Sequence, residues 1–287
     1  MQLFRSANTI TYYLETNALY NLANQLELIR PRGIKAYTSF FTVLELLAGI
    51  VDTNSYIKRK SILNKLHKSK IDIHWKTPTK VLYDSFGLPY DDSIDIRIVE
   101  DMYMRVLESD SYDEFIRAAE KGGDSGKIQS YDKTLSNFGV ETSKLFIDSF
   151  SKNNSKDRKK EYRKAMFEDK LLHAQAQVNS EILVREHIID MTGFSPANEY
   201  EQYIKVAMAY DRSLKVYFYA EAFHRLLSTV KGEPYGKNDI ADHFHLLYIS
   251  GSTAIVSDDG LLTSLAEGSR IYVCKTAAEF RKMINEA

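Results

Sequence analysis

The feature that most constrains this chain is a pair of strand-and-helix blocks at its two ends, separated by a long stretch with helical periodicity. Thr9 to Leu14 (TITYYL) is rich in β-branched and aromatic residues and runs into a charged Glu-Thr-Asn, which reads as a buried strand entering a helix. Asn17 is expected to cap that helix, which should run to about Ile29 before Pro31 and Gly33 break it. Residues 35–38 (KAYT) read as a second strand, followed from Ser39 by an apolar helix, FFTVLELLAGI, with Gly49 near its end. Strand, helix, strand, helix is the pattern of a parallel sheet.

The same pattern returns after Gly232, as a helix from Asp239 to Ile249, a strand TAIVS, a helix GLLTSLAEG, a strand RIYVC and a closing helix from Ala277. Between Asn54 and about Val230 the expectation is helix throughout, broken by loops near 78, 87, 123 and 195, with no convincing strand. The fold class expected is therefore α/β, a central parallel sheet interrupted by a large all-helical insertion. Its domains are a discontinuous core, 8–52 and 236–287, and an insertion, 53–235.

Composition narrows the class. With 287 residues and 44% hydrophobic content the chain can bury a substantial core. No apolar run approaches the roughly 18 residues of a membrane span, and MQLFRSANTITYYLE lacks the order of a signal peptide, so a cytoplasmic address without a membrane partner is expected. One cysteine excludes an intramolecular disulfide and a thiolate metal cluster. Thirty-eight basic against 39 acidic residues leave no global signal for nucleic acid, so any such surface must be local.

In a parallel sheet, ligands bind beyond the carboxyl ends of the strands, so acids at those positions come first. Glu15 and Asn17 follow the first strand, and Asp258 and Asp259 follow TAIVS. Glu45 interrupts an otherwise apolar helix, and Asp239 and Asp242 stand three residues apart on one helix face. Each has an ordinary explanation as a cap, a dipole partner or a solvated face. Their joint position at strand ends is the functional signal.

YLETN resembles the strand-one motif of the PIN-domain nucleases, and TVLELLAGI resembles that family's helical Glu-Leu-x-x-Gly motif. NDIADHFHLLYIS, AIVSDDGLLTSLA and IYVCKTAAEF resemble its third and fourth acidic motifs and its closing strand and helix. The resemblance covers residues 8–52 and 236–285, with Glu15 standing where the family usually has Asp. It implies a three-layer α/β/α, PIN-like core and a metal-dependent nuclease. Glu15, Glu45, Asp242 and Asp259 would be the catalytic acids, Asp239 a further metal ligand, and Asn17 and Asp258 accessory groups. Mg²⁺ or Mn²⁺ suits such hard oxygen donors. RNA is the favoured substrate, with single-stranded DNA the alternative. A toxin or defence role would bring an antitoxin or other protein partner, and a homodimer is a further expectation. The competing reading is an inactive PIN-like scaffold that binds nucleic acid or protein.

Other features take bland readings. GGDSGK, from Gly122, lacks phosphate-loop spacing and follows a charged helix. His243 and His245 alternate on a helix and do not share a face, which argues against a two-histidine metal site. Ser151 to Lys170 holds eight basic residues with Tyr162 and Phe167 interleaved and reads as a solvated helix face before a phosphate contact. The tyrosine-rich KVYFYAEAF reads as core.

Overall fold

A computed structural model describes residues 10–122, 140–141, 144–167, 171–236, 239–250, 252–269 and 272–287. They form two compact units. One comprises the described parts of Met1–Trp75, Ile96–Ser125 and Ile249–Ala287, the other those of Lys76–Asp95 and Gly126–Tyr248. Residues 53–75 and 96–122 thus belong with the sheet, and 239–248 with the helices.

The sheet unit is organised by β1 (Thr11–Leu14), whose Tyr12, Tyr13 and Leu14 are all buried. A strand apolar on both faces belongs in the middle of a covered parallel sheet. The others are β2 (Ala36–Ser39), β3 (Asp72–His74), β4 (Thr253–Val256) and β5 (Val273–Lys275). All pairings are parallel, in the order β3-β2-β1-β4-β5. The register sets Leu14 beside Val256 and Tyr13 beside Tyr37, so the residues after β1 and β4 emerge at the same end.

Successive strand side chains point to opposite faces, and the two tyrosines of β1 show what covers each face. Tyr13 is hydrogen-bonded to Ser39 (2.9 Å) and Thr42 (3.2 Å) at the start of helix Phe40–Ala48. Tyr12 packs on Phe280 of helix Ala277–Glu286, with ring centroids 4.9 Å apart. Helices therefore lie on both faces of the sheet.

Strand β3 corrects the expectation of helix alone between 54 and 230. Its Asp-Ile-His carries one apolar residue, which is sufficient at an edge with one free side but gives no periodic signal. The first helix also differs. It splits into Thr16–Asn21 and Leu26–Ile29, although buried Leu22, Leu26 and Ile29 keep the helical spacing. Its cap is Glu15, not Asn17.

Helix Phe40–Ala48 starts at its Ser39 cap and ends at Gly49, with every residue except Glu45 buried. Gly49 has a specific reason. A Cβ there would meet the Arg59 guanidinium at about 1.9 Å, and that group donates to the carbonyls of Glu45 (2.6 Å) and Leu46 (2.9 Å). Arg59 comes from helix Thr53–Ser69, which opens with an Asp52–Ser55 capping box, so a charged donor closes the orphan carbonyls of its neighbour. Gly49→Ala should displace this flexible guanidinium and cost about 1–3 kcal/mol, the range for losing hydrogen bonds from a charged donor. Denaturation of Gly49→Ala, Arg59→Met and the double variant measures this; fully additive losses would show that the two side chains do not interact.

The helical unit is built around Lys215–Lys231, which buries Tyr217, Phe218, Tyr219, Phe223, Leu226 and Val230 along its length. KVYFYAEAF is therefore core. Helix Leu172–Thr192 packs along it. Both end on glycines in the left-handed region, Gly193 and Gly232, each at φ 74°, where a side chain would be strained. In helix Lys156–Phe167 Met166 is buried, while Lys156, Arg158, Lys160 and Lys164 are exposed, the solvated face expected of that run. From residue 123 the GGDSGK segment lies outside the described residues. Among the described residues no helix is long and apolar enough to cross a membrane.

Candidate acidic site at the carboxyl ends of the strands

Glu15 follows β1 in an extended conformation and is 3% exposed. Its carboxylate folds back on the helix it introduces, with Oε2 accepting from the Asn17 N–H (2.7 Å) and Oε1 from the Ala18 N–H (3.0 Å). Two helix-terminal donors thereby acquire a negatively charged acceptor, favourable for hydrogen bonding and for the helix dipole. Asn17 is exposed and contributes its backbone to this cap.

Glu45 is the one half-buried residue of its helix, and its Oε2 accepts from the Thr16 hydroxyl. Glu15 and Glu45 are thus linked through the residue next to Glu15. The Thr38 hydroxyl donates to the Leu14 carbonyl (2.8 Å), tying the end of β2 to the end of β1 beneath them.

The two acids after β4 behave differently. Asp258 is exposed and spans two helices, accepting from the Asn21 side chain (2.6 Å) and the Ala277 N–H (3.0 Å). Asp259 caps helix Gly260–Ser269 through one oxygen, Oδ1, which accepts from Leu261 (2.8 Å) and Leu262 (2.9 Å). Among the described residues its Oδ2 accepts no hydrogen bond.

Cys274 on β5 registers the same field. Burial pushes its thiol up to about 11; the Thr263 hydrogen bond opposes this, and the Glu15, Asp259 and Glu279 carboxylates reinforce it. Sequence reasoning set this cysteine aside, and its position on the neighbouring strand β5 carries no motif.

The donor set is one a hard divalent cation accepts: carboxylates and a threonine hydroxyl, without nitrogen or sulfur. Among the described residues, however, no three Asp, Glu, His or Cys side chains form a group able to hold a metal. The reason lies in the hydrogen bonds above, since each acid is turned onto a cap or a neighbour. Carboxylate oxygens have further lone pairs, so capping does not remove them as ligands.

Asp239 and Asp242 lie on helix Asp239–Leu246 in the helical unit, and Asp242 is half-buried there. Asp239 accepts from the Gly236 N–H (2.7 Å) and from His224 Nε2 (3.0 Å). Burial alone would raise its pKa, but the His224 hydrogen bond and charge hold it below the usual value. His224 Nδ1 in turn meets His243 Nε2 at 3.1 Å. The sequence offered His224 no motif, and only the packing of two helices aligns Asp239, His224 and His243.

Burial drives the His243 pKa down to about 3, with His224 and Arg225 adding to the effect and Asp239 opposing it. The unfolded chain therefore binds a proton between about pH 3 and 6.5 that the folded chain refuses, so stability rises with pH through that window and is lost as pH falls through it. His243 should cost the helical unit about 2 kcal/mol between pH 7 and 5, on a limiting slope of about 1.4 kcal/mol per pH unit. Denaturation at both pH values should show this loss in the wild type and a smaller one in His243→Phe. Equal losses would place the titration elsewhere.

Comparison with protein-family models, curated proteins and solved structures finds no match for this chain.

Proposed function

We propose that this protein is a metal-dependent nuclease, an endoribonuclease first, whose sheet unit holds Mg²⁺ or Mn²⁺ with Glu45, Asp259 and Glu15. The observation supporting this reading is the emergence of Glu15 and Asp259 at the same end of adjacent parallel strands, with Glu45 joined to the first through Thr16. Ligand chemistry in open parallel sheets concentrates at that end. The motif resemblance supplies the reaction class.

When bound, the cation activates water for attack on a phosphodiester and offsets charge on the phosphate. The chain's own residues hold and orient. Asp259 offers Oδ2 while Oδ1 fixes its carboxylate to a helix start, which limits its rotation. Thr16 orients Glu45. Glu15, held by two N–H groups, adds negative charge that a cation relieves.

The test is cleavage of a mixed RNA and single-stranded DNA pool by the full chain with Mn²⁺, Mg²⁺ or EDTA, together with calorimetric Mn²⁺ titration. Metal-dependent cleavage of RNA is expected. Activity equal in EDTA would overturn the reading. A second reading, a non-catalytic PIN-like scaffold, is favoured by the engagement of every one of these acids in a cap or a cross-link. Under that reading Mn²⁺ shows no affinity for the protein.

A further inference from the structure

The helical unit contains a cavity of about 320 Å³, near the lower end of the roughly 300–1,000 Å³ typical of small-molecule sites. Its wall includes the rings of Phe146, Tyr217 and Tyr235 and the polar groups of Glu221, Arg225 and His243. Two polar atoms of this wall, Glu221 Oε2 and His243 Nδ1, are buried without a hydrogen-bond partner among the described residues. Buried polar atoms are nearly always paired, so two orphans lining one cavity call for an explanation there.

The character of Glu221 Oε2 follows from its neighbours. Arg225 occupies Glu221 Oε1, the Tyr217 hydroxyl interacts with the same carboxylate, and His187 Nε2 stands 3.9 Å from Oε2, beyond hydrogen-bond reach, so Oε2 keeps lone pairs for a ligand. His243, 1% exposed, is held through its other nitrogen by His224, which is anchored on Asp239. His243 Nδ1 is thus the remaining polar atom of that ring at the cavity wall.

Charge points the same way. The wall carries the carboxylates of Glu221 and Asp190 against Arg225. That guanidinium is already joined to Glu221, lies 3.7 Å from Glu186, and sits 4.7 Å over the Phe146 ring. A net anionic pocket with aromatic walls suits a cation that donates hydrogen bonds.

We propose that this cavity binds a small organic cation, an amidinium or protonated amine on an apolar body, paired with Glu221 Oε2 beside the His243 ring. The site is independent of the acids of the sheet unit and needs no metal.

The probe is benzamidine, with neutral benzamide and anionic benzoate of similar shape as comparisons, titrated by calorimetry into the full wild-type chain. Benzamidine should bind at least about tenfold more tightly than either, as one charge-assisted hydrogen bond provides. It should lose about tenfold in Glu221→Gln and nothing in Glu186→Gln, with circular dichroism reporting the fold of each. Benzamide binding as tightly as benzamidine, an unchanged affinity in folded Glu221→Gln, or no benzamidine binding at millimolar concentration would overturn the proposal. The last outcome would mean that water alone serves both atoms. The wild-type comparison decides even if Glu221→Gln does not fold.

Discussion

Glu45→Gln should lower Mn²⁺-dependent RNA cleavage by about 100-fold or more, corresponding to roughly 3 kcal/mol of transition-state stabilisation, while leaving the protein folded. The substitution keeps the volume of a side chain in a nearly filled helix and keeps an oxygen for the Thr16 hydroxyl, but removes the charge that would hold a cation. Asp259→Asn should act similarly, because its amide oxygen can still cap Leu261 and Leu262. Asp258→Ala is the control. Its carboxylate joins Asn21 to Ala277, so it should lose stability and retain cleavage per folded molecule. Undiminished cleavage in both Glu45→Gln and Asp259→Asn would remove these acids from the mechanism. A loss of Mn²⁺ affinity alongside activity would tie them to the cation.

The largest stability effect is expected at Phe280. It is 0% exposed, packs on Tyr12 of the central strand, and anchors the closing helix, whose own Thr276–Glu279 capping box fixes only its start. Phe280→Ala removes a buried ring and an aromatic pair and leaves a cavity, a combination costing about 3–5 kcal/mol. The guanidinium midpoint of the sheet unit, followed by near-ultraviolet circular dichroism, should fall accordingly, and Phe280→Leu should recover most of the loss. A cost below about 1 kcal/mol in Phe280→Ala would mean that the closing helix contributes little to the sheet unit.

Much of the α/β frame is legible in the sequence because its signals are local. TYYL, AYTS and TAIV are buried strands with enough β-branched and aromatic residues to stand out, and Ser39 and Gly49 bracket their helix as caps do. Strand β3 escaped because an edge strand has no need of an apolar pattern. The positions of Glu15 and Asp259 relative to strand ends were likewise readable, since they depend only on where strands stop.

What each acid does was not readable. Glu15 and Asn17 are two residues apart, and which of them caps the helix depends on φ and ψ at the end of β1. Asp258 and Asp259 are adjacent, yet one spans two helices and the other caps one, because Asn21 and Ala277 reach Asp258 from 237 and 19 residues away. Asp239 found His224 through the packing of two helices.

By itself, then, the sequence determined the α/β class of fold and the places of Glu15 and Asp259 just after their strands, because strand propensity, caps and turns act over a few residues. Only the tertiary structure decided which carboxylates were drawn into caps, that Arg59 would replace a side chain at Gly49, and that Asp239, His224 and His243 would line up. Those outcomes depend on contacts between residues distant in sequence, whose geometry no local pattern specifies.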